Sequence, residues 1–362
     1  MTTQKAVLLP EKFGEFVLGD TKIPTPGPGE VLIRVKSVGL NPVDWKIQRF
    51  GIYANEFPAI LGLDIAGDIE EIGEGVTNLQ KGDRVFTHGG FENDHNGFQQ
   101  LAKADPNLLA KIPDGFSYDD AATLPTALTT AYLGLYNIHP IGLGLTPLFN
   151  PGGKGAYVDT PLVINGGSSS VGQLVIQFAK ASGFNPIITI ASSKHNQHLT
   201  SLGATHVIDR HASPETIIEE IRKISKVPVR AIYDAVGGDE IQKALLELLP
   251  PEGNFVYTAG LNADTSGKTV SRVFSMRTYP ANAPYLPTLW ANASALLSDG
   301  TIQVGTFALA TMGVSLMYDT LFSQPLKAEV LPGGLAGVPD GLKRLEKGVS
   351  GIKLVAHPNE TP

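Results

Sequence analysis

The apolar run Leu162-Val-Ile-Asn165 enters a turn of Gly166, Gly167, Ser168, Ser169 and Ser170. It continues as Val171-Gly172-Gln-Leu-Val-Ile-Gln-Phe-Ala-Lys180, and no other stretch constrains the fold of this chain as tightly. A buried strand passes through small residues into an amphipathic helix expected over Val171 to Ala181. Small side chains from Gly167 to Ser170 let the backbone approach a pyrophosphate closely, and the helix N-terminus supplies free N–H groups and the positive end of its dipole. Gly172 lets helix and strand pack tightly. The spacing is not a literal G-x-G-x-x-G; its weight comes from the strand before it, the helix after it and a second strand at the right distance.

From Pro161 onward strands and helices alternate. Strands are expected at Pro186–Ala191, Val207–Asp209, Arg230–Val236 and Asn254–Ala259, with helices at Gln197–Leu202, Pro214–Ser225 and Glu240–Leu249. That alternation predicts a doubly wound parallel sheet. Tyr233 reads as a core residue. Thr258 and Leu261, at the end of the Asn254–Ala259 strand, lie where such sheets receive their ligands. The first third differs. Glu30–Val38, Ile65–Ile72 and Arg84–Thr87 read as strands of a barrel-like or sandwich β unit, Tyr118–Tyr136 as helical, and Ile138–Thr160 as a Gly/Pro-rich connector. The fold class is therefore α/β, a β-rich unit joined to a doubly wound sheet.

The second strand of the parallel sheet ends at Ser192, Ser193 and Lys194, and no Asp or Glu occurs between Gly166 and Thr205. An acidic residue there would hold a ribose 2′-hydroxyl; hydroxyls and a cation fit a 2′-phosphate, so NADP(H) is the expected cofactor. Gly152-Gly-Lys-Gly is too short for a phosphate loop of the nucleotide hydrolases. Composition closes other routes. With no Cys, the chain has no disulfide, thiolate metal site or cysteine nucleophile. A net charge of −7 argues against a nucleic-acid partner. The N-terminus shows no signal peptide, and Val304–Phe322, with Asp319 and several hydroxyls, is a poor membrane span, so a cytoplasmic protein without a membrane partner is expected.

The chain resembles the medium-chain dehydrogenase/reductase superfamily over nearly its whole length. The resemblance rests on Gly39-Leu-Asn41-Pro-Val-Asp44-Trp-Lys46, Gly62-Leu-Asp64-Ile-Ala-Gly67, Gly82-Asp-Arg-Val85, Leu124-Pro-Thr-Ala-Leu-Thr-Thr130-Ala-Tyr132, the glycine turn, and Val338–Val355 as closing helix and strand. It implies a GroES-like catalytic domain over 1–130 that resumes at 301–362, a Rossmann domain over 131–300 between them, and an active site in the cleft. Residues 304–324 read as an unusual apolar insertion, a splicing error or a poorly packed element being the expectation.

In the zinc alcohol dehydrogenases of this superfamily a Gly-His-Glu segment and a thiolate hold the metal. Gly62-Leu63-Asp64 stands in that place here, so no metal is expected. His88, Glu92, Asp94 and His95 read as a solvated loop cluster, and His195 with His198 lacks a third ligand. The chain is most similar to the zinc-independent quinone reductases and fungal trans-acting enoyl reductases. The resemblance implies that Asn41, Asp44 and Lys46 lie beside the nicotinamide ribose and the substrate oxygen, with Lys46 stabilising a developing enolate. It also implies Thr130 beside the nicotinamide and Tyr53 as a proton donor. Arg210 replaces a tyrosine next to the adenosine and is expected to grip the phosphate. The walls of the substrate pocket are expected in Phe50–Phe57, His88–Phe98 and Phe274–Leu286. Three readings follow: a reductase of conjugated carbonyl compounds or quinones, an enoyl reductase whose acyl chain arrives on an acyl carrier protein, or an NADPH-binding sensor without turnover. Monomer and homodimer both remain open.

Overall fold

The structure, a computed structural model, describes residues 2–304 and 327–362, so all but Val304 of the expected insertion lies outside the described residues. The first elements are β1 (Thr3–Leu9), β2 (Val17–Lys22), β3 (Val31–Gly39), α1 (Pro42–Phe50), β4 (Ala59–Ile60), β5 (Asp64–Ile72), β6 (Arg84–His88), β7 (Leu101–Ala104) and β8 (Leu109–Lys111). β2, β1 and β4 form one antiparallel sheet, while β3, β5, β6 and β8 run side by side in a second, with β7 also on β3. The two enclose a single apolar core that includes Val7, Val31, Ile33, Val35, Ile65, Val85 and Phe98.

The helical stretch expected over Tyr118–Tyr136 is two helices, α2 (Tyr118–Ala122) and α3 (Pro125–Tyr136). Ser117 caps α2 by accepting from the Asp120 amide at 3.0 Å. Pro125 then occupies the start of α3, where its missing N–H costs nothing but where it cannot continue the preceding turn.

The parallel sheet is built from β9 (Leu162–Asn165), β10 (Ile187–Ala191), β11 (His206–Asp209), β12 (Ala231–Asp234), β13 (Asn254–Tyr257) and β14 (Thr269–Arg272). Its strand order is β11-β10-β9-β12-β13-β14, so the winding reverses between β9 and β12. Helices α4 (Ser170–Ala181), α5 (Asn196–Leu202), α6 (Pro214–Ile224) and α7 (Asp239–Leu248) connect these strands. Both faces are covered: Leu162 and Ile164 join one core, and Val163, Ile188 and Ile190 join another with Ile217, Ile221 and Leu245. Burial on two sides is why these strands read as continuous apolar runs. β12 and β13 end earlier than expected. The Asp234 carboxylate accepts from the amides of Val236 and Gly237 at 3.2 and 2.9 Å and turns the chain there.

The connector is folded onto the parallel-sheet unit. Tyr157 stacks on Phe184 with ring centroids 4.6 Å apart, and the Gly155 amide donates to Ala181 O at 3.1 Å. At the outer edge of β14 the Arg272 amide donates to Pro140 O at 2.9 Å. After α8 (Leu286–Ser298), β15 (Lys327–Val330), α9 (Val338–Lys347) and β16 (Ile352–Ala356) rejoin the first unit, β16 pairing antiparallel with β3. Among the described residues no helix is long and apolar enough to cross a membrane.

Candidate active site

Five chain segments converge where β3 and β6 end and β5 begins. Asn41 caps α1, with its backbone amide donating to Asp44 Oδ2 at 2.7 Å. Its side chain donates through Nδ2 to Asp64 Oδ2 at 2.9 Å and accepts from Lys353 Nζ at 2.6 Å. Lys353 comes from β16 and lies 2.6 Å from Asp64 Oδ2. The remaining Asp64 oxygen accepts from the Thr126 amide at 2.6 Å, in the first turn of α3. Asp64 and Asp44 have no accessible surface and Lys353 is 5% exposed.

Burial alone would raise the Asp64 carboxyl, but the Lys353 ammonium and the surrounding donors outweigh it and hold it below the ordinary carboxylate range. Burial pushes Asp44 up to about 7, opposed by the Asn41 amide and helped by the Asp64 charge. His88 sits opposite Asp64 on the neighbouring strand, and burial pushes its imidazole down to about 4. Among the described residues neither ring nitrogen of His88 has a hydrogen-bond partner, and Trp45 Nε1, Asp44 Oδ1 and Thr126 Oγ1 are likewise buried without one. Unpaired buried polar atoms are costly, and their concentration around one carboxylate marks a site.

Lys46, on α1, is half-buried, with its ammonium 5.6 Å from the Trp45 ring centroid. Burial lowers its pKa, and the Arg272 charge lowers it further. Tyr53 is held at φ 65°, a left-handed conformation unusual for tyrosine. Its ring packs 5.6 Å from Phe91 and 5.9 Å from Phe274, so all three segments expected as pocket walls meet at this residue. Thr130 is 8% exposed and its hydroxyl donates to Thr126 O at 2.6 Å. Tyr233 is core and donates to Thr130 O at 2.8 Å. Asp44, expected at a ribose, is enclosed and serves the α1 capping box.

In the parallel-sheet unit the glycine turn has the geometry that its residues require. Gly166 adopts φ 84°, and a Cβ on Gly172 would stand 2.2 Å from Gly166 O. Ser169 caps α4, accepting from the Gly172 amide at 3.0 Å while its hydroxyl donates to Gly166 O. Ser170 and Val171 open α4, so their amides have no carbonyl one turn behind them. Ser168 contributes its carbonyl to Gln173 Nε2 at 3.1 Å. These donors, aimed outward from a turn without side-chain bulk, fit the diphosphate of a dinucleotide.

Ser192, Ser193 and Lys194 follow β10, and Arg210 follows β11 with its amide on Ala191 O at 2.9 Å. Ser193, Lys194 and Arg210 are exposed. Thr258 and Leu261 follow β13 and are partly buried, the Thr258 amide donating to Asp234 O at 3.0 Å. Sequence reasoning missed a buried group at the reversal point of the sheet. Asn165 and Asp234 end the adjacent strands β9 and β12 and are bonded at 2.8 Å, and Gln242 donates to Asp234 Oδ2 at 2.7 Å. It also missed Asp64, Lys353 and His88. The signal for Lys353 was a lone lysine inside the apolar strand Ile352-Lys-Leu-Val355.

Of the loop cluster expected to be solvated, Glu92 is exposed, Asp94 and His95 are partly buried, and only His88 is enclosed. His88 is enclosed in β6, Glu92 pairs with Arg277 at 2.8 Å, and Asp94 pairs with His95 at 2.7 Å and Lys103 at 2.8 Å. Among the described residues no group of three His, Asp or Glu could hold a metal ion. A zinc ion does not fit the floor: the residue before Asp64 is Leu63, and the Asp64 carboxylate is already taken by an ammonium.

Comparison with known proteins gives concordant results. Residues 27–116 match the alcohol dehydrogenase GroES-like domain and residues 170–281 match the zinc-binding dehydrogenase family. Dehydrogenase azaJ of Aspergillus niger is 31% identical, covering 98% of this chain and 99% of that protein. Trans-enoyl reductase tndF of Aspergillus flavipes is 30% identical over 97% of this chain and 98% of that protein. The quinone oxidoreductase from Coxiella burnetii superposes with a TM-score of 0.71 at 24% identity, covering 98% and 99% of the two chains, a likeness of fold.

Proposed function

The chain belongs to the medium-chain dehydrogenase/reductase superfamily, and on that premise we propose that it is an NADPH-dependent oxidoreductase reducing a conjugated alkene or a quinone without zinc. The observation that carries this reading is the occupied floor: Lys353 neutralises Asp64 where a metal-dependent relative needs a ligand set. A Lewis acid activates an isolated carbonyl in the zinc-dependent relatives, whereas a conjugated acceptor spreads the incoming charge onto oxygen and needs less activation. In this reading the catalytic unit is 1–130 with 301–362 and the cofactor unit is 131–300.

When bound, the nicotinamide supplies a hydride to the β-carbon of the acceptor. The chain does the rest. The amides of Ser170 and Val171 hold the diphosphate, and Lys194 with Arg210 faces a 2′-phosphate. Ser192 and Ser193 border the same subsite, and Thr258 and Leu261 line the way to the nicotinamide. Lys46, the half-buried cation of α1, stabilises the oxyanion of the enolate, and Tyr53 donates the proton that the α-carbon needs. Asn41 acts from behind, tying the start of α1 to Asp64 and Lys353, and Thr130, whose carbonyl accepts from Tyr233, borders the nicotinamide.

The names of relatives such as trans-enoyl reductase tndF support a second reading of the same chemistry, in which the acceptor is an enoyl group delivered on an acyl carrier protein. The test is NADPH consumption by the purified protein with one conjugated enone and one quinone, product identification and an NADH control. Saturable enone reduction that prefers NADPH is expected. Turnover of the quinone alone would move the acceptor to the quinones, and absence of NADPH binding would overturn the proposal.

A further inference from the structure

His195 stands between the exposed cations of the cofactor unit and the segment that delivers Lys353. It ends the short turn Ser193–His195 after β10 and is 7% exposed. Its Nε2 lies 3.3 Å from Ser350 Oγ. The ring rests on Gly351, where a Cβ would stand 3.2 Å from Cε1, and Gly351 itself holds φ 72°. Ser350 and Gly351 lead directly into β16, whose second residue is Lys353. The glycine thus allows a ring from one unit to press on the backbone of the other.

The titratable and charged groups facing His195 are Lys194, Arg210 and His198. Burial, then Lys194 and then Arg210 lower the pKa of His195. Asp209, next to Arg210, is taken by His211 at 2.8 Å, and no acid pairs with Lys194 or Arg210 among the described residues. His198 is occupied by Gln173 at 2.9 Å. Two cations without a salt bridge among the described residues, beside a ring whose protonation burial and their charge both oppose, form a subsite that suits an anion. A neutral imidazole has one N–H to offer, whereas an imidazolium donates from both nitrogens.

We propose that His195 is a positioning residue that couples occupancy of the 2′-phosphate subsite to the seating of Lys353. A phosphate dianion between Lys194 and Arg210 cancels the charges that oppose protonation, and His195 takes a proton from solvent. The imidazolium then holds Ser350 through Nε2–H, which fixes the entry to β16 and so Lys353 against Asn41 and Asp64. The inference rests on the NADPH reading. By linkage, whatever draws a proton onto His195 is itself bound more tightly when the proton is there.

The experiment uses the full chain with adenosine 2′,5′-bisphosphate and, as control, adenosine 5′-monophosphate. Calorimetric titration in two buffers of different ionisation heat at pH 7.5 reads the protons taken up. Hydrogen exchange of the peptide covering 348–356 reads the strand. The wild type is expected to take up protons and to slow exchange with the bisphosphate only. His195→Gln loses both effects and binds the bisphosphate about fivefold more weakly, the scale of one hydrogen bond. Ser350→Ala keeps the proton uptake and loses the protection, which keeps the test decisive if the His195 variant does not fold. Equal proton uptake by wild type and His195→Gln, or protection that survives in both variants, overturns the proposal. Equal affinity for the two nucleotides in the wild type overturns the NADPH reading and the coupling with it, while preference for the bisphosphate without proton uptake overturns the coupling alone.

Discussion

Lys353 Nζ lies 2.6 Å from Asp64 Oδ2, an ammonium from the last strand, β16, closing on a carboxylate from β5 of the same sheet. The pair is enclosed, and Asn41 bonds to both members. Removing one partner strands a charge, so Lys353→Met is expected to lose about 3–5 kcal/mol in urea unfolding. The double variant Lys353→Met, Asp64→Asn should recover a good part of that. Singles within about 1 kcal/mol of wild type would show that the pair does not hold the floor.

The glycine turn separates two kinds of glycine. A Cβ on Gly172 would meet Gly166 O at 2.2 Å, whereas one on Gly260 would meet nothing within 4 Å. Gly172→Ala should abolish NADPH binding in a fluorescence titration and lower the melting temperature. Gly260→Ala should leave the melting temperature unchanged. The reverse order of the two melting temperatures would contradict the packing described for α4.

His88 and His198 are both pushed down to about 4 by burial. In the unfolded chain each takes up a proton below its ordinary value of 6.5, while in the folded chain neither does until about pH 4. Each therefore withdraws stability as the pH falls through that window, by about 3 kcal/mol at its end. Asp44, raised to about 7, works in the opposite direction, since the folded chain holds a proton there that the unfolded chain has lost. With two groups against one, the unfolding midpoint should drop between pH 6.5 and 4.5. In His88→Gln the drop should be visibly smaller, as denaturant midpoints at the two pH values would show. An equal drop in the variant would mean that His88 is not buried neutral.

Lys46→Met should lower kcat on an enone about 100-fold while leaving the NADPH dissociation constant near its wild-type value. Tyr53→Phe, which keeps the ring against Phe91 and Phe274, should lower kcat less, by about tenfold. Steady-state kinetics with a separate binding titration distinguishes these effects, and a Lys46 variant with unchanged kcat would remove that residue from the chemistry.

The parallel sheet was legible because strands buried on both faces leave continuous apolar runs, and Leu162–Asn165 and Ile187–Ala191 are such runs. The break at Pro125 was missed, although proline is most at home in the first turn of a helix and so marks a new start there. The floor of the candidate site was not legible. Asp64, His88 and Lys353 are ordinary residues in three strands, and only strand pairing and the crossing of a late segment make them neighbours. Asp234 was hidden in the same way, because its partner Asn165 belongs to a strand far earlier in the chain. Local patterns report which face of an element is buried, and they carry no information about which distant charge meets another.

That Lys353 closes the floor also sets an order of events during synthesis. Asn41 and Asp64 leave the ribosome long before residue 353, and until then the Asp64 carboxylate lacks the ammonium that balances it. The parallel sheet needs no residue from β16, whereas the floor does, so a translation halted short of β16 lacks Lys353 and cannot form this centre.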